Sequence, residues 1–230
     1  MKISLQEIRF ACGNWRMSAE GTFLPGVHIV SGDVGSGKST LATAIAGLTE
    51  PTGGVITGEG ISSKMLSFQF PEYHVTGFTV EEECRSWSRD PDRVLAECRL
   101  GGRSGSSPLR LSRGELKRLH LACVLAGTYD LLVLDEPFSA LDVAEKERIC
   151  RAISSRTNGI TIIFTHEQAV FPRTDYLWEI QEGRLRYRGA VPGALPAWQH
   201  APAAIRDLIA AGKCPHNITT GDLLEAACRT

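Results

Sequence analysis

The stretch from Gly32 through Asp33, Val34, Gly35, Ser36, Gly37 and Lys38 to Ser39 constrains this chain more than any other. A glycine, four residues, then Gly-Lys-Ser is the pattern of a phosphate-binding loop, and it works only between a strand and a helix. Both flanks are present. Residues 27–31 form a short apolar run that ends at the loop, and residues 39–48 follow with a helical pattern. Glycines let backbone amides converge on an anion, and the helix start adds positive potential. In such a cradle Lys38 holds β- and γ-phosphates, Ser39 ligates magnesium, and Thr40 closes the binding run.

A second acidic element belongs with such a loop. Residues 131–134 are apolar and run straight into Asp135 and Glu136. In phosphoryl transfer the first carboxylate steadies the metal shell, which leaves Glu136 placed to activate water. Further strands are expected at residues 65–68, 131–135 and 160–165, alternating with helices, which favours a parallel sheet. The turn-rich run 51–60 has a β-branched centre and suggests a small antiparallel β region near the N-terminus. Residues 79 to about 100 read as helical and 101–108 as a flexible loop, together an inserted lobe. Thr79 with Glu82, and Ser112 with Glu115, have the spacing of capping boxes, so each pair predicts a helix start. A hairpin is expected at 176–181 and 185–188 around Glu182 and Gly183, then two short helices at 202–211 and 223–228.

Whole-chain properties remove several classes. The 230 residues carry 25 basic and 26 acidic side chains, net charge −1, so no bulk pull toward nucleic acid or anionic lipid exists. The N-terminus alternates polar and apolar residues and has no long apolar core, which speaks against export. The apolar runs are far shorter than the ~20 residues of a membrane-crossing helix, so any membrane role runs through a partner. Seven cysteines without a Cys-x-x-Cys pair suggest neither a zinc site nor a disulfide framework but reduced cytosolic thiols, with Cys123 and Cys150 as small buried hydrophobes.

The run Leu111, Ser112, Arg113, Gly114, Glu115 heads a helix reaching to about Ala126. It is either a plain helix cap or a second phosphate cradle, since a serine, a glycine and a helix N-terminus together grip an anion. Taken with the rest, the sequence resembles the ATP-binding cassette (ABC) ATPases. Gly32 to Ser39 looks like their Walker A motif, Gln69 their Q-loop glutamine, and Leu111 to Glu115 their signature motif. Leu131 to Glu136 is similar to Walker B with its catalytic glutamate, Ser139 to Asp142 to the D-loop, and His166 to the switch histidine.

That resemblance implies an α/β fold of the P-loop NTPase, ABC-ATPase type: a parallel-sheet core with an N-terminal antiparallel β region and a short inserted helical lobe. Residues 1–68 and 129–190 would be the nucleotide-binding core, 70–128 the lobe with the signature, and 191–230 a short helical tail. It also implies two chains, identical or related, dimerising head to tail, with ATP and Mg2+ between Lys38 of one and Ser112, Gly114 and Asp142 of the other. Glu136 would polarise the attacking water, His166 would contact the γ-phosphate, and Gln69, with them a catalytic residue, would complete the shell of that water and of the magnesium held by Ser39 and Asp135.

Two departures stand out. Arg113 replaces a glycine usual in the signature, where it either docks on phosphate or faces solvent. The adenine-stacking aromatic has no clear match, because Phe10 and Trp15 flank a place that Cys12 occupies. Phe70 to Tyr73 and Thr79 to Glu82 resemble the corresponding run of energy-coupling factor ATPases, which drive uptake of vitamins or of cobalt and nickel. The expectation is an ATP-hydrolysing subunit on the cytoplasmic face of the membrane, peripheral, meeting an integral transporter subunit near Gln69 to Thr79, with no nucleic-acid partner. The alternative is a soluble, non-transport ABC ATPase, which would want a long coiled coil, a second cassette or a basic stripe. A phosphate-loop kinase or GTPase leaves Ser112, the D-loop and His166 unexplained.

Overall fold

The computed structural model describes residues 1–229, so Thr230, the last residue of the expected tail, lies outside the described residues. One nine-stranded sheet organises the chain: β1 (Lys2–Cys12), β2 (Trp15–Phe23), β3 (Gly26–Gly32), β4 (Gly53–Glu59), β5 (Lys64–Ser67), β6 (Leu131–Asp135), β7 (Ile160–Thr165), β8 (Tyr176–Gln181) and β9 (Arg184–Ala190). Spatial order is β4-β1-β2-β9-β8-β3-β7-β6-β5. Strands β8, β3, β7, β6 and β5 are mutually parallel. β1 pairs antiparallel with both β2 and β4, and β8 with β9.

The parallel strands are buried along nearly their whole length because helices cover both faces, as such sheets require. The antiparallel end alternates instead: Ile3, Leu5, Ile8 and Phe10 of β1, with Met17, Ala19 and Phe23 of β2, turn inward. Strand β2 was not expected from the sequence. Its inward face is Met, Ala, Gly and Phe, and Gly21 stands where a Cβ would meet the Trp178 ring at 2.7 Å. A strand shaped by what packs on it carries little β-branched signal of its own.

Among the described residues seven α-helices alternate with or follow the strands: α1 (Lys38–Ala46), α2 (Val80–Ser86), α3 (Pro91–Glu97), α4 (Arg113–Leu125), α5 (Val143–Ser154), α6 (Ala203–Ala210) and α7 (Thr220–Cys228). The helical stretch expected over residues 79 to about 100 is thus two short helices. Ser88 takes a left-handed φ of 56°, and Pro91 sits at the first turn of α3 with Asp90 as its cap. A proline lacks the amide that would continue α2 and pushes the residue before it out of helical geometry. Both expected capping boxes are formed, at Thr79 with Glu82 and at Ser112 with Glu115.

The apolar residues gather in three clusters. One lies between α1 and the antiparallel strands. A second lies beneath α4, α5 and the tail, taking in Leu121, Ile149 and Ile205. The third is the lobe's own, with Val80, Cys84, Val94, Leu95, Leu116 and Leu119. The tail is held to the second cluster by Trp198 and Ile218, and by Asn217, whose amide bonds both Thr174 N (2.9 Å) and Thr174 O (2.8 Å). Cys123 and Cys150 are buried and free, as expected.

Candidate active site

The C-terminal ends of β3, β6 and β7 lie side by side, and each delivers one part of the site. Strand β3 ends at Gly32, the loop turns through Gly35 (φ 81°) and Gly37 (φ 104°), and α1 begins at Lys38. No side chain caps α1, so the amides of its first turn remain open to an anion. Two of the glycines are demanded by close approach. A Cβ on Gly37 would lie 2.6 Å from both Met17 Sδ and the Trp15 ring, and one on Gly32 would lie 2.9 Å from Ser36 Oγ. Ser36 Oγ is itself buried with no protein partner. Lys38 is buried, and its ammonium donates to Gly32 O (2.7 Å) and Asp33 O (3.0 Å), which bends it over the loop.

Strand β6 ends at Asp135, and the chain turns at Glu136 with a left-handed φ of 47°. That conformation costs a non-glycine residue roughly 1–3 kcal/mol and is held by the Glu136 N–H bond to Phe164 O at 2.9 Å. It points the Glu136 carboxylate back across the strand ends. There Oε1 meets His166 Nδ1 at 2.6 Å, Oε2 accepts from Thr165 Oγ1 at 3.2 Å, and Lys38 Nζ stands 3.8 Å away. Burial pushes the Asp135 carboxyl above its usual range, with the Ser39 hydroxyl bond opposing, and its Oδ1 has no partner. An orphaned, buried carboxylate oxygen beside Ser39 is a donor set of hard oxygens that fits a divalent magnesium ion.

These parts open on a cavity of about 650 Å³, within the usual size of a small-molecule site. Its walls include Val34, Gly35, Gly37, Lys38, Ser39 and Thr40, together with Gln69, Glu136 and His166. The opposite wall is Phe10, Ala11, Cys12 and Trp15, with Glu50 and Thr52. Gly32, Asp33 and Ser36, expected in the same loop, do not line this cavity; Asp33 and Ser36 line a neighbouring one with His200. Cys12 and Trp15 are paired across the β1–β2 hairpin, so the aromatic face comes from β2. The Gly13-Asn14 turn between them is the sequence signal that could have placed it.

Three of the expected nucleotide residues lie elsewhere. Ser112 is exposed and caps α4, its hydroxyl accepting from Glu115 N at 3.3 Å. Asp142 caps α5 through Glu145 N at 2.9 Å. Gly114 joins these two regions, because a Cβ there would lie 2.9 Å from Ala140 O in the segment before Asp142. Arg113 faces solvent. Sequence reasoning passed over Thr165, which bonds Glu136, and Lys117, buried behind Gln69.

Comparison with known proteins points to one family. Residues 25–139 match the family model described as ABC transporter. The energy-coupling factor transporter ATP-binding protein EcfA1 of Thermotoga maritima is 30% identical over 83% of this chain and 82% of its own length. The aliphatic sulfonates import ATP-binding protein SsuB 1 of Mesorhizobium japonicum is 32% identical over 73% of this chain and 69% of its own. A solved ATP-binding subunit of an ABC transporter superposes with a TM-score of 0.68 at 18% identity, covering 99% of this chain and 100% of that one. The chain therefore belongs to the ABC transporter family, as one of its ATPases.

Proposed function

We propose that this chain is the ATP-hydrolysing subunit of an uptake transporter of the energy-coupling factor type. The observation that carries the ATPase part is the meeting of Lys38, Glu136 and His166 at one cavity, with Asp135 buried beside Ser39 at the end of β6. The transport part leans on relatives whose names are those of energy-coupling factor, sulfonate and sulfate import ATPases. The narrower type leans on the run from Gln69 to Glu82. There a 3₁₀ turn at Pro71–His74 and the Thr79–Glu82 capping box frame three exposed aromatics, Phe70, Tyr73 and Phe78. Those aromatics are the face offered to an integral membrane subunit. Among the described residues no helix is long and apolar enough to cross a membrane, so the chain would sit peripherally, on the cytoplasmic face.

In this reading ATP lies along the cavity. The loop amides and Lys38 bind its phosphates, and Trp15 supplies the stacking face for the base, with Cys12 at the edge. Ser39, Asp135 and Gln69 would hold a magnesium ion, which would neutralise charge at the phosphates. Glu136 accepts from His166 Nδ1–H, which fixes the imidazole so that its other nitrogen faces the cavity toward the γ-phosphate. The same carboxylate orients and polarises the attacking water. Ser112, Gly114 and Asp142 lie outside the cavity of their own chain and complete that of a second chain bound head to tail. Residues 1–68 and 129–190 act as the nucleotide-binding core, 70–128 as the lobe and 191–230 as the tail.

Mixing two inactive variants tests the shared site. Lys38→Ala and Ser112→Ala chains each lose turnover, and a one-to-one mixture recovers about a quarter of wild-type activity, since half the dimers carry one intact site of two. A mixture as inactive as its parts, from chains that do exchange, contradicts the head-to-tail arrangement. Gentle crosslinking in the native cell should capture an integral membrane protein through Tyr73 or Phe78. Recovery of a fully soluble dimer alone favours the non-transport reading.

A further inference from the structure

Behind the catalytic cavity, the buried face of α4 carries two polar side chains to which ATP handling gives no task. Lys117 is 1% exposed, and its ammonium donates to Gln69 O at 2.9 Å and Phe68 O at 3.3 Å. His120, one turn further on, is 5% exposed and has its Nε2 2.9 Å from Ser67 Oγ. Its ring stacks on His74 at 4.2 Å with an interplanar angle of 19°, and Trp87 closes the stack edge-on at 5.5 Å. His74 in turn accepts the Phe68 N–H at Nε2, at 3.1 Å. The polar atoms of Ser67 Oγ, Phe68 N, Phe68 O and Gln69 O are therefore all gripped, three of the four from α4.

A buried ammonium is an expensive way to fill that space. Lys117 is almost wholly out of water, so its charge is held only by what the protein offers it. An apolar chain of the same length would serve packing alone at no desolvation cost. What the ammonium adds is two hydrogen bonds that pin the backbone of the glutamine whose side chain lines the cavity. The helix making that grip begins at Ser112, so the same thirteen-residue rod, Arg113–Leu125, ends in the signature motif.

We propose that Lys117, backed by His120, is a positioning residue for ATP hydrolysis: it fixes the Gln69 backbone to α4, so that Gln69 reaches its working position only as Ser112 reaches its own. This rests on the reading that Gln69 serves hydrolysis. The ammonium itself touches neither nucleotide nor water; it acts through Gln69.

A double-mutant cycle in turnover number separates the two ideas. Lys117→Met keeps the length and apolar volume of the side chain and removes the donor. It should lower kcat on the order of tenfold through misplacement of Gln69, while leaving the ATP dissociation constant, read from tryptophan fluorescence, within about twofold. Gln69→Ala should lower kcat comparably, and adding Lys117→Met to it should lower kcat no further. A merely structural lysine would instead reduce kcat by the same factor in both backgrounds, and that additive result overturns the proposal. So does unchanged kcat in Lys117→Met when Gln69→Ala is impaired. Unchanged kcat in Gln69→Ala overturns the reading beneath it instead. Should Lys117→Met not fold, His120→Phe keeps the aromatic stack and removes only the bond to Ser67. It should show the same non-additivity with Gln69→Ala at a loss of about threefold, and a wild-type kcat there would overturn the proposal.

Discussion

Replacing Gly37 by alanine tests whether the loop's shape is imposed by the strand behind it. The residue has φ 104°, and an added Cβ would lie 2.6 Å from Met17 Sδ and 2.6 Å from Trp15 Cζ2, both on β2. Gly35 is the internal control: its φ is 81°, but a Cβ there meets nothing within 4 Å. Gly35→Ala thus incurs only the backbone strain of a left-handed residue, roughly 1–2 kcal/mol. Gly37→Ala adds the overpacking of two buried or half-buried side chains, a further ~1–3 kcal/mol. For a chain of this size each kcal/mol lowers the melting temperature by about 2–4 °C. Gly37→Ala should therefore melt clearly below Gly35→Ala in the same buffer without nucleotide. It should also bind ATP at least about tenfold more weakly, because moving Trp15 disturbs the stacking face and the start of α1 together. Equal melting temperatures for the two variants would refute the argument that β2 shapes the loop.

Acid should weaken the fold through His28. Its Nε2–H donates to Leu24 O at 2.7 Å, Trp178 Nε1–H donates to its Nδ1 at 3.1 Å, and burial lowers its pKa to about 4. A group whose folded pKa lies below its unfolded value of about 6.5 contributes fully above pH 6.5 and loses that contribution as pH falls toward 4. The loss is roughly 3 kcal/mol for this side chain, and burial lowers His120 in the same sense. Urea midpoints at pH 7, 5.5 and 4.5 should fall in that order, and a flat series would contradict the buried neutral histidine. Arg113→Gly should leave the single chain's stability within about 0.5 kcal/mol, since the side chain is exposed. It should weaken ATP-driven dimerisation about three- to tenfold if Arg113 meets the partner's phosphate; sedimentation with and without ATP reads this, and an unchanged dimer constant makes Arg113 a surface feature.

Much of this architecture was legible because local and tertiary demands coincide. Strand β7 is bounded where its β-branched run begins and ends, and the two capping boxes placed the starts of α2 and α4. The phosphate loop announced itself because its glycines answer specific approaches of Trp15, Met17 and Ser36. What stayed hidden depends on partners far along the chain. Strand β2 reads as strand only beside β1 and under Trp178, and the stacking face of Trp15 exists only once that hairpin closes. The break between α2 and α3 was written in Asp90 and Pro91 but was outweighed by the helical pattern on both sides. Lys117 looks like an ordinary helix-surface lysine until α4 packs that face against the strand leading to Gln69.

In the proposed mechanism the cavity at Lys38 hydrolyses ATP through Glu136, whose carboxylate is held by His166 and Thr165 at a turn of left-handed φ. Glu136→Gln changes one oxygen to an amide and leaves shape and size intact. With saturating ATP and magnesium, phosphate release should fall about 10²–10⁴-fold, the usual worth of a positioned base. ATP affinity, read from tryptophan fluorescence, should stay within about threefold, since Lys38 keeps its bonds to Gly32 O and Asp33 O. Near-normal turnover in Glu136→Gln would contradict the account.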